Sequence, residues 1–301
     1  MKLGKRLPAA LVMTALLIVL LVVDATVIRC DVLLHAYFTV ATLFVLLEFF
    51  AMCEARSLRP FRSVGLGGVL ALLVLHWLAM LGLFGTENRE AVVQAGLVVV
   101  VLALFARQGL RRETEGALAN LGATALGVLY AWFLPSFLLK IRHLTASAAA
   151  SKQDPSSWLV TGTWIFASAI ACSKLCDVGA YLGGSRWGRH KLIPRISPGK
   201  TIEGAAIGLG VSVGAGFLLW SVVLHRYLDL GQALLFGLVA GVAGTLGDLT
   251  ASILKRGAGA KDSGRVVPGF GGALDVVDSI MVAGPALYAL LLAFGFRHPA
   301  G

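Results

Sequence analysis

Five charged side chains stand in or at the ends of long apolar runs in the C-terminal half of this chain: Lys174, Asp177, Asp248, Asp275 and Asp278. A charge held inside a stretch long enough to cross a bilayer is costly and marks a candidate functional site. Asp24, near the end of the first apolar run, reads instead as an interfacial residue. Asp248, Ser252 and Lys255 follow one another at i,i+4 and i,i+3 spacing, a single stripe if their helix continues through Lys255. Asp275, Asp278 and Ser279 fall on one face of the next helix. Between these groups lies GAGAKDSGRVVPGFGG, whose glycines let backbone approach a ligand and whose Lys261 and Arg265 suit phosphate oxygens. Carboxylates from two elements beside cations are what Mg²⁺ plus a polyphosphate requires. Magnesium takes hard oxygen ligands, often one or two carboxylates completed by water and substrate phosphate, while Lys and Arg compensate the charge of a leaving group. A blander arrangement pairs the acids with Lys255, Arg256 and Lys261 in a positively charged hairpin. Three acids at helical spacing around a glycine-rich basic turn favour the ligand reading.

A second basic stretch, DVGAYLGGSRWGRHKLIPRISPGKTIEG, begins at Asp177 and carries Lys200. SPGKT looks like the end of a phosphate-binding P-loop. The position five residues before Gly199 is Pro194 rather than glycine, and no preceding strand is expected, so the stretch is not a Walker A motif. His190, between Arg189 and Lys191, reads as a contact to phosphate or water rather than a catalytic base.

The elements that must carry these residues are membrane helices. Of 301 residues, 57% are hydrophobic and 14% charged, against about 25% charged in ordinary soluble domains; the mean hydropathy is +0.84. Nine apolar segments are long enough or nearly long enough to span a bilayer: Leu7–Ile28, Val32–Cys53, Val64–Phe84, Ala91–Ala106, Ala117–Leu139, Trp158–Leu182, Gly204–Leu224, Gly231–Leu254 and Val276–Phe296. The fourth is the shortest. The expected fold is an all-α polytopic membrane protein of about nine transmembrane helices. Residues 1–150 carry about five of them, and residues 151–301 carry about four, together with the two basic loops. With the N-terminus cytoplasmic and the C-terminus external, 18 of the 26 Lys and Arg residues fall in cytoplasmic connections and seven outside, as the positive-inside rule asks. The first segment reads as an uncleaved anchor. The net charge of +10 thus belongs to membrane orientation and phosphate contact rather than to nucleic acid. Cys30, Cys53, Cys172 and Cys176 form no ligand spacing and read as packing residues. The glycines within the seventh and eighth segments read as close helix packing, with Gly244 and Gly247 also leaving room beside Asp248 for a headgroup.

At this level of detail the residues resemble a known family. Ser252, Lys255, Arg256, Lys261 and Asp262, followed by Pro268, Gly269, Gly271, Gly272, Asp275, Asp278 and Ser279, are similar to the signature of phosphatidate cytidylyltransferase, or CDP-diacylglycerol synthase. Asp177, Gly179, Ala180 and Tyr181, then His190 to Leu192 with Pro194, and Ile196 to Thr201 with Glu203 and Gly204, resemble an earlier stretch of the same family. The resemblance covers about Ala171–Ser279. It implies transfer of CMP from CTP to the phosphate of phosphatidic acid with release of pyrophosphate. It also implies Mg²⁺ on Asp248 and Asp275, with K⁺ as a candidate second ion. The expected catalytic set is Asp248, Asp275, Lys255 and Lys261; the expected substrate-binding set is Asp177, Lys200, Ser252, Arg256, Asp262, Arg265 and Asp278. Expected partners are CTP, phosphatidic acid and membrane lipids of the cell inner membrane, with a homodimer as a candidate assembly and no nucleic acid.

Two positions depart from the family pattern. Phe270 stands where the family commonly has His, and Val276 where it commonly has Arg. A phosphate nucleophile needs no dedicated base near neutral pH, and Lys255, Arg256, Lys261 and Arg265 remain. The rival readings are a CTP-dependent polyprenol or phytol kinase, which would release CDP, and a non-catalytic transporter or assembly protein. The sequence contains no convincing inverted repeat of the kind a transporter would show.

Overall fold

The computed structural model describes residues 32–85, 88–111, 114–144, 157–260, 263–264 and 272–297, together with Val19 and Val23. Its long helices are α1 Val32–Glu54, α2 Arg62–Met80, α3 Arg89–Arg111, α4 Ala117–Val128, α5 Leu134–Arg142, α6 Ser157–Trp187, α7 Ile202–Val222, α8 Leu230–Gly257 and α9 Leu274–Ala293. A π-helical turn, Leu129–Phe133, joins α4 to α5, so Ala117–Arg142 forms one span. Among the described residues, eight helices are long and apolar enough to cross a membrane. The chain is a multi-pass helical membrane protein. Most of the expected first span, Leu7–Ile28, lies outside the described residues.

The shortest expected span is in fact 23 residues, Arg89–Arg111. The helix runs past the apolar run into Arg89, Glu90, Arg107 and Arg111, whose long side chains reach the interface from a helix end. Its apolar surface is not confined to one stripe. Val93, Val100 and Leu104 are buried while Val98, Val99, Leu102 and Phe105 are exposed, the pattern of a helix with lipid on its outer side. The π turn before α5 has a local cause. Pro135 can give no N–H to the helix, and its ring crowds the carbonyl four residues earlier; that carbonyl belongs to Ala131, inside the widened turn.

By compactness the chain forms two units, one comprising Met1–Phe133 and Gly257–Asp275, the other Leu134–Arg256 and Val276–Pro299. In the first, Phe50 fills the space a side chain at Gly65 would take and also reaches Gly127. Thr124 accepts the Phe61 N–H at 2.9 Å and Asn120 the Arg59 N–H at 2.7 Å, tying the α1–α2 connection to α4. In the second unit, α6, α7 and α8 pack through small residues. Methyl groups at Gly204 and Gly208 would meet the Ala180 and Cys176 carbonyls, and one at Gly216 the Ala233 carbonyl. Ser212 donates to both the Cys172 and Gly237 carbonyls, at 3.0 and 2.7 Å. Close approach by small residues and interhelical hydrogen bonds are the main adhesives between helices in lipid. Gly210 and Gly214, expected to serve the same packing, face open space instead. The described cysteines, Cys53, Cys172 and Cys176, are free, and the last two are buried.

A short hairpin interrupts the helices in the second basic stretch. Strand β1, Lys191–Ile193, pairs antiparallel with β2, Ser197–Thr201. A strand therefore does precede the SPGKT residues, contrary to expectation, but those residues are themselves the second strand and not a phosphate-cradling loop. Pro194 at the second position of the turn supplies its fixed φ, and the Ile196 N–H donates to the Ile193 carbonyl at 3.2 Å.

Candidate active site

Within the second unit, three helices and the hairpin bring their charged residues together. Lys174 and Asp177 lie one turn apart on α6, Asp248 nine residues before the end of α8, Asp278 and Ser279 in the second turn of α9, and Lys200 on β2. The Lys174 ammonium donates to the Val276 carbonyl at 2.8 Å and to Ser279 Oγ at 2.7 Å. It stands 3.8 Å from Asp177 and 4.0 Å from Asp278. Lys200 forms an ion pair with Asp248, and the carboxyl groups of Asp177, Asp248 and Asp278 are close enough to act on one another electrostatically. Three acids against two ammonium groups leave a cluster with spare oxygen ligands. A lysine of such a cluster can exchange onto an incoming phosphate.

The hairpin is held so that Lys200 reaches this cluster. Thr201 caps α7 by accepting the Gly204 N–H at 3.1 Å, a common role for threonine. Glu203 accepts the backbone N–H groups of Arg189 and His190 at 3.1 and 3.2 Å and meets His190 Nδ1 at 2.6 Å. His190, three-quarters exposed, is thereby a partner of Glu203. Arg256 donates from Nε to the Ile196 carbonyl of the hairpin turn at 3.4 Å. The α8 helix continues through Gly257, so the stripe of Asp248, Ser252 and Lys255 holds, and Lys255 acts electrostatically on Asp248.

The first unit carries the other acids. Asp275, in the opening turn of α9, accepts on one carboxylate oxygen the N–H groups of Ser263 and Gly272, at 3.3 and 3.4 Å. Glu48, buried near the C-terminal end of α1, accepts the N–H groups of Ala273 and Leu274 at 2.8 and 3.0 Å and the Ser263 hydroxyl at 3.1 Å.

The cytidylyltransferase family model matches residues 5–294. The chain belongs to the cytidylyltransferase family. It is 37% identical over 192 residues to a phosphatidate cytidylyltransferase of Synechocystis sp., covering 57% of this chain and 62% of that one. It is 36% identical over 217 residues to the chloroplastic phosphatidate cytidylyltransferase 4 of Arabidopsis thaliana, covering 68% and 53%. With the Bacillus subtilis phosphatidate cytidylyltransferase it shares 28% identity over 244 residues, covering 81% and 85%. The chain thus spans between half and two thirds of the length of the first two relatives.

Of the residues expected for a cytidylyltransferase-family site, Asp177, Lys200, Asp248 and Asp278 share one polar cluster, with Lys255 within electrostatic reach of Asp248. Ser252 is half-buried on the same helix and Arg256 braces the hairpin. Lys261, Asp262 and Arg265 lie outside the described residues. Two residues absent from the expected sets take part, Lys174 in the cluster of the second unit and Glu48 beside the partners of Asp275 in the first. Lys174 had a readable signal, a lysine inside an apolar span one turn before Asp177. Glu48 carries the same signal, an acid within LFVLLEFF, but it precedes Ser263 by 215 residues, and spacing along the chain cannot connect them. The room expected beside Gly247 is taken: a methyl group there would stand 3.0 Å from Ser279 Cα. Its small size serves the close crossing of α8 and α9.

Proposed function

We propose that this cytidylyltransferase-family chain is a phosphatidate cytidylyltransferase of the cell inner membrane, with cytoplasmic N-terminus and external C-terminus, acting on CTP and phosphatidic acid. The observation that carries the reading is the cluster of Asp177, Asp248 and Asp278 with Lys174 and Lys200 in the second unit, in which Asp177, Lys200 and Asp278 belong to the two stretches that resemble the family. A phosphate oxygen of phosphatidic acid attacks the α-phosphorus of CTP, a new phosphoanhydride bond forms, and the bond to the β-phosphate breaks to release pyrophosphate. Lys200 is the cation suited to leave its carboxylate for the triphosphate, because an ion pair is exchangeable where a helix hydrogen bond is not. Lys255 and Arg256, at the end of α8, add positive charge for the departing pyrophosphate. Acyl chains can stay in lipid while their phosphate meets this cluster, which is carried by membrane-spanning helices.

The donor chemistry suits Mg²⁺, since Asp248 and Asp275, the residues the resemblance implies as ligands, offer hard carboxylate oxygens. Among the described residues no group of three or more His, Cys, Asp or Glu side chains is spaced to enclose a metal. Mg²⁺ commonly takes only one or two carboxylates and completes its shell with water and phosphate. When bound, the ion would neutralise charge on the phosphates; K⁺ is a candidate companion, and a homodimer the candidate assembly. Purified protein in detergent with phosphatidic acid, CTP and Mg²⁺ is expected to form CDP-diacylglycerol and pyrophosphate in equal amounts. CDP formed with a polyprenol or phytol would establish the kinase instead. Absence of any CTP-dependent lipid product would leave a non-catalytic protein.

A further inference from the structure

We infer that Glu48 is a positioning residue for Asp275: it fixes the short segments from which Asp275 takes two backbone N–H partners. The inference deepens the proposed reading, on which Asp275 serves the reaction, but its structural half can be tested without that reading.

Glu48 is 5% exposed, in an otherwise apolar stretch of α1. A buried carboxylate survives there only if its oxygens are satisfied. They accept three hydrogen bonds: Ala273 N–H at 2.8 Å, Leu274 N–H at 3.0 Å and the Ser263 hydroxyl at 3.1 Å. The first N–H groups of a helix have no acceptor within it, and the helix dipole favours an anion at that end. Glu48 supplies that anion to α9 from a distant part of the chain.

The donors then interleave with those of Asp275. Consecutive amides divide between the two acids, with Gly272 giving its N–H to Asp275 while Ala273 and Leu274 give theirs to Glu48. Ser263 joins both, hydroxyl to Glu48 and N–H to Asp275. Neither flanking glycine can gain a side chain unless the carboxylate moves. A methyl group at Gly264 would stand 2.6 Å from Glu48 Oε1, and one at Gly272 would stand 2.7 Å from its Cδ. A carboxylate matches this nest because it only accepts. Glutamine would turn a donor toward another donor. Loss of the Glu48 charge therefore releases the segments on which the orientation of Asp275 depends, whereas loss of Asp275 leaves the grip of Glu48 on Ala273 and Leu274 intact.

That asymmetry is measurable by residue-resolved hydrogen–deuterium exchange on the purified full chain in detergent. In Glu48→Gln, the amides of Ala273 and Leu274 are expected to exchange about tenfold faster or more, with Ser263 and Gly272 following, while α2 and α3 keep their protection. In Asp275→Asn, Ser263 and Gly272 should exchange faster while Ala273 and Leu274 do not. In the CDP-diacylglycerol assay, Glu48→Gln should lower kcat about tenfold and raise the Mg²⁺ concentration for half-maximal rate, with KM for phosphatidic acid unchanged. Unaltered exchange at Ser263 and Gly272 in Glu48→Gln would overturn the inference. So would an equal loss of protection in every helix, repeated in the charge-conserving Glu48→Asp, since that would assign Glu48 to general packing. If the wild-type chain forms no CDP-diacylglycerol, the proposed function fails while the exchange pattern still decides the role of Glu48.

Discussion

The acids of the second unit and those of the first are held by opposite means. Asp177, Asp248 and Asp278 lie against the ammonium groups of Lys174 and Lys200. Glu48 and Asp275 lie against backbone N–H groups at the start of α9. A lysine is a flexible point charge that can turn to another anion, so the first arrangement can open to a ligand without unfolding anything. Backbone amides are fixed by the fold, and an acid that accepts from them is locked with them. The pairing partner, more than the depth of burial, separates an exchangeable site from a scaffold.

This contrast can be tested by removing one member of each kind of pair. The largest effect is expected for Asp248→Asn, which keeps the size of the side chain and removes its charge. CDP-diacylglycerol formation should fall about a hundredfold or more, equivalent to roughly 3 kcal/mol of transition-state stabilisation, with the thermal midpoint in detergent almost unchanged. A lock rather than an exchangeable acid at this position would instead show up as a lowered midpoint.

Lys174→Met tests the other side of the cluster. It takes the cation from between Asp177 and Asp278 and leaves the Val276 carbonyl and Ser279 without their donor, so a loss of about 2 kcal/mol in stability is expected. Thermal melts would register it. Equal stability would mean that water or another cation takes over the site.

Lys200→Ala should raise KM for CTP about tenfold while folding is retained, the size of one charge-assisted hydrogen bond to phosphate. Loss of folding instead would move Lys200 from the exchangeable class to the scaffold. The smallest effect belongs to Thr201→Ala. Thr201 is the side chain–backbone lock of the hairpin junction, and its removal should cost about 1 kcal/mol, seen as faster exchange of the Gly204 amide with little change in KM.

Much of this was legible in one dimension. Helix type, span number in the described region and the approximate ends of seven of its eight spans follow from the length of apolar runs, because a bilayer demands a minimum length and internal hydrogen bonding wherever lipid is met. The α3 span was underestimated because charged residues at its ends break the apolar run without breaking the helix. The acids at 177, 248 and 278 were legible for the related reason that a charge among apolar residues is costly wherever the chain folds.

What the sequence alone determined, then, is what depends on neighbours along the chain: spans, the i,i+3 and i,i+4 stripes and the motifs that resemble a cytidylyltransferase. Tertiary structure decided which charge answers which. Only the fold puts Lys200 on Asp248 by turning an apparent loop into a hairpin, fills the space beside Gly247 with the backbone of α9, and brings Glu48 to amides 225 and 226 residues further on. Those outcomes rest on hydrogen-bond and ion-pair contacts that act over a few ångströms, and the chain's order carries no measure of that distance.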